Sequence, residues 1–402
     1  MHQKHLICFK CGKRFGINDI VFRCDECGSS LEVGFDYHKI KKNVTKEKLR
    51  SRPFNHARYS ELYPVPEILS IQEGGTPLIR SKRIEKELKL GFELWFKYEA
   101  QNPTGSFKDR GSSVELARAL DIIRNKGNPF KGVVCASTGN MGASVAAYSS
   151  MANLKCTIFT PRDAVDIKLE QILAYGAKVY KINGDYTQAA ELVEQAFQKH
   201  GVYLLGDYLY RREGTKSVGF EIADQMDFQV PDYVVCPIGN GTLISAVWKA
   251  FNEFKILGLT KNMPHMIGIQ AKGCDPVNKA FNKNSKIKHV CGSTIATAIE
   301  CGDPLDGPRA LVVMKESDGF TDNISDATIL KTRELLAKSE GLFTEPAGAV
   351  SFAGLLAIKN KIPKGSRVVC LLTGHGLKTP RTAIKGSVKK ISASPKILSN
   401  IF

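Results

Sequence analysis

The chain has 402 residues, 43% of them apolar, and its 57 Lys+Arg against 40 Asp+Glu give a net charge of +17. That length holds about two or three domains, and that apolar share excludes wholesale disorder. The positive field favours small anionic ligands, but the basic residues are scattered without an aromatic-interleaved stripe, so nucleic acid is not an expected partner.

No apolar run reaches the ~18 residues of a membrane span, so no membrane association is expected. The start, "MHQKHLICFKCGKRFG", lacks the apolar core of a secretory signal. A cysteine pair already begins at Cys8, which speaks against a transit peptide, and a cytoplasmic protein is expected.

The first unit is written in cysteines. Cys8, Cys11, Cys24 and Cys27 form C-x2-C-x12-C-x2-C, with glycine after each pair. Two such knuckles can aim four thiolates at one zinc ion in a closed, structural tetrahedron. The competing reading is four free thiols, which a unit with so little core tolerates poorly. The strand-like "DIVFRC" between the knuckles suggests a zinc ribbon over residues 1–35. Cys135, Cys236 and Cys370 sit in apolar runs and read as small core residues.

Residues 35–69 are charged and aromatic without a clear period. From Glu93 onward the pattern alternates. Strand-like runs ("ELWFKYE", "GVVCAS", "KCTIFTP", "AKVYKING", "DYVVCPIG", "MIGIQA", "RVVCLLTG") are separated by helix-like ones such as "SVELARALDIIRNKG", "GASVAAYSSMAN", "DIKLEQILAYG", "YTQAAELVEQAFQKHG" and "ATILKTRELLAKSEG". This alternation predicts an α/β fold with parallel sheets covered on both faces. Two sheets fit the length better than one. The basic end, "SVKKISASPKILSNIF", is expected to fray.

Small-residue loops follow three of the strands: "ASTGNMGAS", "PIGNGTLIS" and "LLTGHGLKTP". The first two open helices, whose N-termini offer free N–H groups to an anion. Lys108, in "NPTGSFKDRG", follows a buried strand in the same manner. It is either an ordinary solvated lysine or a reactive amine at the mouth of the sheet, where α/β proteins bind ligands.

The motif series "NPTGSFKDRG", "STGN", "PIGNG", "TEPAGA" and "TGHGLK" resembles that of the threonine synthases, pyridoxal-phosphate (PLP) enzymes of fold type II, the tryptophan-synthase-β-like fold. "EGGTPLI", "IGIQAKG", "TIATAI" and "AKSEGLFTEPA" extend the likeness over residues 72–380. The resemblance implies two open twisted parallel-sheet units behind the ribbon: a large PLP-binding unit (36–110 and 225–395), a small substrate-binding unit (111–224) and a tail (396–402). It also implies a homodimer and a small anionic amino-acid substrate.

By the same resemblance, Lys108 would hold the cofactor covalently and then act as the shuttling base. Asn140 would bond the cofactor's 3′-oxygen. Gly239, Asn240, Gly241, Thr242 and Leu243 would cup its phosphate, with Leu243 standing where the family has an asparagine. Thr373 would face the pyridine nitrogen, a neutral partner that tempers the electron sink. Ser137 and Thr138 would take the substrate carboxylate. Asp109 and Arg110 are expected to cap and pair locally at a helix start. His375 reads as a turn residue or a base, and Glu345 as a helix start or a site residue.

The likeness breaks at the substrate's distal phosphate. The family places a hydroxyl where Met141 stands and an Asn-Ser pair where Gly206 and Asp207 fall, whereas Arg211 matches the family's arginine and Arg212 lies beside it. A thioether cannot donate to phosphate, and a carboxylate at 4 Å from a like unit charge costs about 4 kcal/mol at an effective dielectric of roughly 20. Two readings follow. Asp207 pairs with Arg211 or Arg212 and the chain converts O-phosphohomoserine and water to threonine and phosphate, or the chain is a paralogue performing β- or γ-elimination or replacement on another amino acid.

Overall fold

The computed structural model describes residues 2–126 and 130–379. The expected tail, and the end of the large unit beyond residue 379, lie outside the described residues.

An antiparallel three-stranded sheet opens the chain, with β1 (Gln3–Cys8) between β2 (Arg14–Phe15) and β3 (Leu31–Phe35). The "DIVFRC" segment is not a strand, contrary to expectation. Its side chains are used elsewhere. Phe22 packs edge-on against Phe197, Tyr203 and Tyr208 at centroid distances of 4.8, 5.5 and 5.3 Å, and Arg23 pairs with Glu194 at 2.7 Å. Tertiary packing has overridden local β propensity. The patternless stretch after the ribbon forms short helical turns: Tyr37–Lys41, Lys46–Arg50 and His56–Leu62.

Ten further strands make two sheets. In chain order they are β4 (Leu78–Arg80), β5 (Glu93–Tyr98), β6 (Val133–Ala136), β7 (Cys156–Thr160), β8 (Lys178–Lys181), β9 (Tyr203–Leu205), β10 (Tyr233–Pro237), β11 (His265–Ala271), β12 (Phe320–Ile324) and β13 (Arg367–Leu372). All seven strand-like runs are strands. One sheet has the order β12-β11-β10-β13-β5-β4, and the other β8-β7-β6-β9. The smaller sheet is wholly parallel. The larger is parallel except at its edge, where β4 runs antiparallel to β5.

The parallel strands are buried on both faces, which is why they read as unbroken apolar runs. Val368, Val369, Cys370, Leu371 and Leu372 have no exposed surface. The helix Pro346–Ile358 is apolar all round and correspondingly buried beside them. Each such side chain contributes about 1.5–3 kcal/mol through burial.

Beneath this core lies a knot of charge. Arg110 is fully buried and bonds Glu99 at 2.7 Å and Glu221 at 2.6 Å, and Lys97 bonds Glu221 at 2.7 Å. Arg110 therefore does not pair locally as expected: Glu221 comes from the distant helix Ser217–Gln225. Asp109 does act locally, accepting from the Thr104 N–H at 2.7 Å and the Thr104 hydroxyl at 2.6 Å. The two contacts fix the turn that ends at Lys108.

Candidate active site

Lys108 is the first residue of the helix Lys108–Lys126, reached from the end of β5. The loops after β6, β10 and β13 open at the same strand ends, and together they line one cavity. Lys108, Ser137, Thr138, Asn140, Met141, Asp207, Gly239, Asn240, Gly241, Thr242, Leu243 and Thr373 all line it. This is the crevice at the carboxyl ends of parallel strands, where α/β sheets bind ligands.

The β10 loop is shaped by close backbone approach. A Cβ on Gly239 would come within 2.9 Å of Ile299 Cα, and one on Gly241, at φ +92°, within 2.6 Å of the Asp306 carbonyl. Asn240 is committed to the same neighbour: its Oδ1 accepts from the Leu305 N–H at 2.6 Å and its carbonyl from the Asp306 N–H at 3.1 Å. The helix Thr242–Leu257 starts here, so its first N–H groups face the cavity as an anion cradle.

Two polar atoms in this wall, Asn140 Oδ1 and Thr242 Oγ1, are buried without a partner within the chain. Such atoms ordinarily carry a hydrogen bond. With an amine, an anion cradle and two unsatisfied polar atoms around one cavity, the residues present fit pyridoxal phosphate.

Ser137 Oγ accepts from the Gly139 and Gly142 N–H groups at 3.0 and 2.7 Å. The second bond satisfies an N–H in the first turn of the helix Asn140–Met151, whose N-cap residue is Gly139, and the hydroxyl keeps its own proton to donate. Glu345, undecided from sequence, does two things at once. It is the N-cap residue of Pro346–Ile358 and it lines the cavity. Its carboxylate takes the Asn140 amide at 2.6 Å and the buried Lys168 ammonium at 3.2 Å. Phe107, Tyr186, Thr297 and Cys301 also belong to the lining and were not singled out from sequence. The stretch "TIATAI", which carries Thr297, was legible only as part of the family resemblance. His375 is not in the lining, and its ring accepts from the Leu377 N–H at 3.1 Å in a turn.

The distal end differs most from expectation. Asp207 pairs with neither Arg211 nor Arg212. Its Oδ1 lies 3.0 Å from Lys108 Nζ. Burial alone would lift the Asp207 carboxyl, but the neighbouring charges of Lys108 and Arg211 hold it below the usual carboxylate range. Arg211 is fully buried outside the cavity lining, bonded to Glu115 at 2.5 Å and to the Gly206 carbonyl at 3.0 Å. Arg212 is likewise buried, bonded to Asp306 at 2.8 Å and to the Leu31 carbonyl of the ribbon. Both arginines hold loops together.

At the ribbon, the four cysteine sulfurs lie within 4.8 Å of one another. Cys8 and Cys27 are 3.4 Å apart, Cys11 and Cys24 3.6 Å, and Cys27 and Cys11 3.7 Å. A disulfide needs about 2.05 Å. Four sulfurs at about 2.3 Å from a tetrahedral zinc stand about 3.8 Å apart, so the cluster fits the ion.

The family model of pyridoxal-phosphate dependent enzymes matches residues 69–374. The chain is 44% identical to a threonine synthase of Methanocaldococcus jannaschii, with 98% of each chain covered. It is 41% identical to one of Methanosarcina acetivorans, over 94% of this chain and 93% of that one. The chain belongs to the threonine synthase family. It is a pyridoxal-phosphate dependent lyase of the threonine synthase type, acting on an amino acid. Solved structures agree on the fold. Maize serine racemase aligns at a TM-score of 0.65 and 22% identity, covering 83% of this chain and 94% of that one. A threonine deaminase of Solanum lycopersicum aligns at 0.63 and 19%, covering 91% and 98%. Both likenesses concern fold type II alone. Among the described residues, no helix is long and apolar enough to cross a membrane.

Proposed function

We propose that this enzyme converts O-phosphohomoserine and water into threonine and phosphate. The observation that carries the reading is the 44% identity to a threonine synthase along 98% of both chains, and the cavity chemistry agrees with it. Bound pyridoxal phosphate supplies an electron sink for negative charge developing at Cα.

The chain's own residues do the rest. Lys108 holds the cofactor, then takes protons from Cα and Cβ. The Cγ–O bond breaks with its electron pair leaving on phosphate. Water gives its hydroxyl to Cβ, protons are delivered to Cγ and back to Cα, the departing phosphate takes up the third, and the substrate's chain ends as a methyl group. Ser137, Thr138 and the helix N-terminus behind them hold the carboxylate. Gly239, Gly241, Thr242 and Leu243 cup the cofactor phosphate with backbone N–H groups, and Asn140, oriented by Glu345, bonds its ring oxygen. Thr373 offers the ring nitrogen a neutral hydroxyl.

In this reading the ribbon holds one structural zinc, residues 111–224 form the small substrate-binding unit against 36–110 and 225–395, and the enzyme is a cytoplasmic homodimer. Free thiols support the cytoplasmic setting, since all eleven cysteines are unpaired.

The test is direct. Purified enzyme incubated with O-phosphohomoserine should yield phosphate and threonine in equal amounts. A yellow, borohydride-bleached protein that releases no phosphate would instead establish the paralogue.

A further inference from the structure

The loop Gly239–Leu243 has two glycines, so its own sequence does little to fix its shape. The shape is set from behind, by the backbone of Leu305 and Asp306. The Leu305 N–H donates to Asn240 Oδ1 at 2.6 Å, and the Asp306 N–H donates to the Asn240 carbonyl at 3.1 Å. The Asp306 carbonyl occupies the space that a Gly241 Cβ would need, and it accepts from the Ala310 N–H at 2.9 Å. Asp306 is not itself in the cavity lining.

The Asp306 side chain has an unusual assignment. Asp306 is the N-cap residue of the helix Gly307–Glu316, yet its carboxylate caps no N–H of that helix. Both oxygens instead accept from Arg212 Nη1, at 3.0 and 2.8 Å, and Oδ1 lies 3.6 Å from Arg309 Nε. The two arginines reach the cysteine ribbon with their remaining nitrogens. Arg212 Nη2 donates to the Leu31 carbonyl of β3. Arg309 donates to Ser30 Oγ at 3.2 Å, pairs with Glu32, and stands 3.9 Å over the Phe9 ring.

Asp306, Arg212 and Arg309 are all buried. On the ribbon side, Phe9 directly follows Cys8, and the Phe9 N–H donates to the Ser30 carbonyl at 3.1 Å. An unbroken series of buried contacts therefore joins the ribbon to the backbone of Asn240 and Gly241. Two guanidinium groups against one carboxylate also leave no uncompensated negative charge behind an anion site.

We propose that Asp306 is a positioning residue for the cofactor's phosphate, and that the ribbon, acting through Arg212 and Arg309, holds it in place. The inference rests on Gly239–Leu243 being the phosphate cup. A loop already held in its binding shape loses less freedom when the ligand arrives, so the brace acts on affinity. Lys108 also holds the cofactor. The brace thus governs how tightly the cofactor is bound, and at saturation the site still fills without it.

The experiment compares wild type, Arg212→Lys, Arg309→Met and Glu32→Gln, each purified as the holoenzyme. Arg212→Lys keeps a cation near Asp306 but gives up the fork that also reaches Leu31. Each protein is dialysed to equilibrium against graded pyridoxal phosphate or graded pyridoxal, which lacks the phosphate, and the bound fraction is read by absorbance. Circular dichroism and the denaturant midpoint identify the variants that keep the fold. The dissociation constant for pyridoxal phosphate should rise at least ~10-fold in both arginine variants and about threefold in Glu32→Gln, while that for pyridoxal stays within about twofold of wild type. If both arginine variants lose the fold, Glu32→Gln decides, since its side chain is partly exposed. Folded variants that bind pyridoxal phosphate as wild type does would overturn the inference. So would an equal loss for both ligands, which would place the effect on the whole site. Wild type binding pyridoxal as tightly as pyridoxal phosphate would remove the reading of Gly239–Leu243 as the cup, and the inference with it.

Discussion

Lys108 Nζ lies 3.0 Å from Asp207 Oδ1 and 3.3 Å from Oδ2, so the amine of the cavity and the acid that departs from the family pattern form one ion pair. The acid is not a loose charge facing the substrate's phosphate. It restrains the amine, and Arg211 adds a second positive neighbour to it. The expected repulsion between Asp207 and a phosphate loses its basis. We expect Lys108→Ala to cut turnover by more than ~10³-fold, since acid–base catalysis alone supplies about 10²–10⁴-fold, while the unfolding midpoint stays near wild type. Borohydride should no longer attach the cofactor.

The same pair predicts the outcome at the distal pocket. Met141→Thr with Asp207→Ser installs family-like hydroxyls but frees Lys108 from its carboxylate. We expect kcat/KM on O-phosphohomoserine to fall by about tenfold, roughly 1.4 kcal/mol, the scale of one lost charge-assisted hydrogen bond. A tenfold rise would instead mark the wild-type pocket as built for another side chain.

One zinc per chain is expected in freshly purified, reduced protein, and Cys24→Ser should lose it. The cofactor's absorbance should survive, because Lys108, Asn140 and the Gly239–Leu243 loop stand on the two parallel sheets. Metal analysis finding no zinc would contradict the first statement. Loss of the cofactor's absorbance in the metal-free variant would contradict the last.

Much of this was legible in sequence, and the exceptions share a cause. Strands buried on both faces announce themselves as apolar runs, and glycine loops before helices mark where anions sit, so the cavity wall from Ser137 to Thr373 could be assembled from spacing and resemblance. Pairing of charges could not. Arg110 reads as a local partner and instead finds Glu221, 111 residues away. Asp207 finds Lys108, 99 residues away, past two adjacent arginines. "DIVFRC" has β-branched and aromatic residues, yet Phe22 packs against Phe197, Tyr203 and Tyr208 and does not join the ribbon's sheet. Side-chain partners across the fold carry no period in sequence, and no local rule selects them. Short strands were missed for a related reason: β9 has three residues, too few for any pattern to emerge.

The buried charge knot under the Lys108 turn gives a stability prediction. Glu221 accepts from Lys97, from Arg110 and from the Gly75 N–H at 2.8 Å, and is wholly buried. Although burial opposes its charge, Arg110 and Lys97 hold its carboxyl well below the usual range. Glu221→Gln leaves two buried cations short of one negative charge. Breaking such a pair costs about 3–5 kcal/mol, to be read as a lower denaturant midpoint. Because the native group's pKa is depressed, its stabilisation is present above the ordinary carboxyl range and declines as pH falls through and below it. The variant should therefore show less acid sensitivity than wild type.

Lys378 gives a dependence of the same sign at the other end of the pH scale. Burial pulls its ammonium down to about 8, against the charge of Glu345, which raises it, and that of Lys168, which lowers it further. It donates to the Thr104 carbonyl at 2.8 Å and to Gln171 Oε1 at 2.6 Å, tying the Lys108 turn to the helix Asp166–Ala174. Below about pH 8 the native and unfolded chains both hold this proton, and the fold bears the full cost of the buried charge. Between about 8 and the ordinary 10.5 the unfolded chain holds the proton and the native chain does not, so stability rises with pH. The gain approaches about 3 kcal/mol, at about 1.4 kcal/mol for each tenfold change in proton concentration. Lys378→Met removes this titration and leaves every other group in place. The difference in unfolding free energy, wild type minus Lys378→Met, should be level from pH 6 to 7.5 and climb between about pH 8 and 10. Denaturant titrations of both proteins across that range provide the measurement, and a difference that stays level throughout would mean that Lys378 keeps an ordinary affinity for its proton.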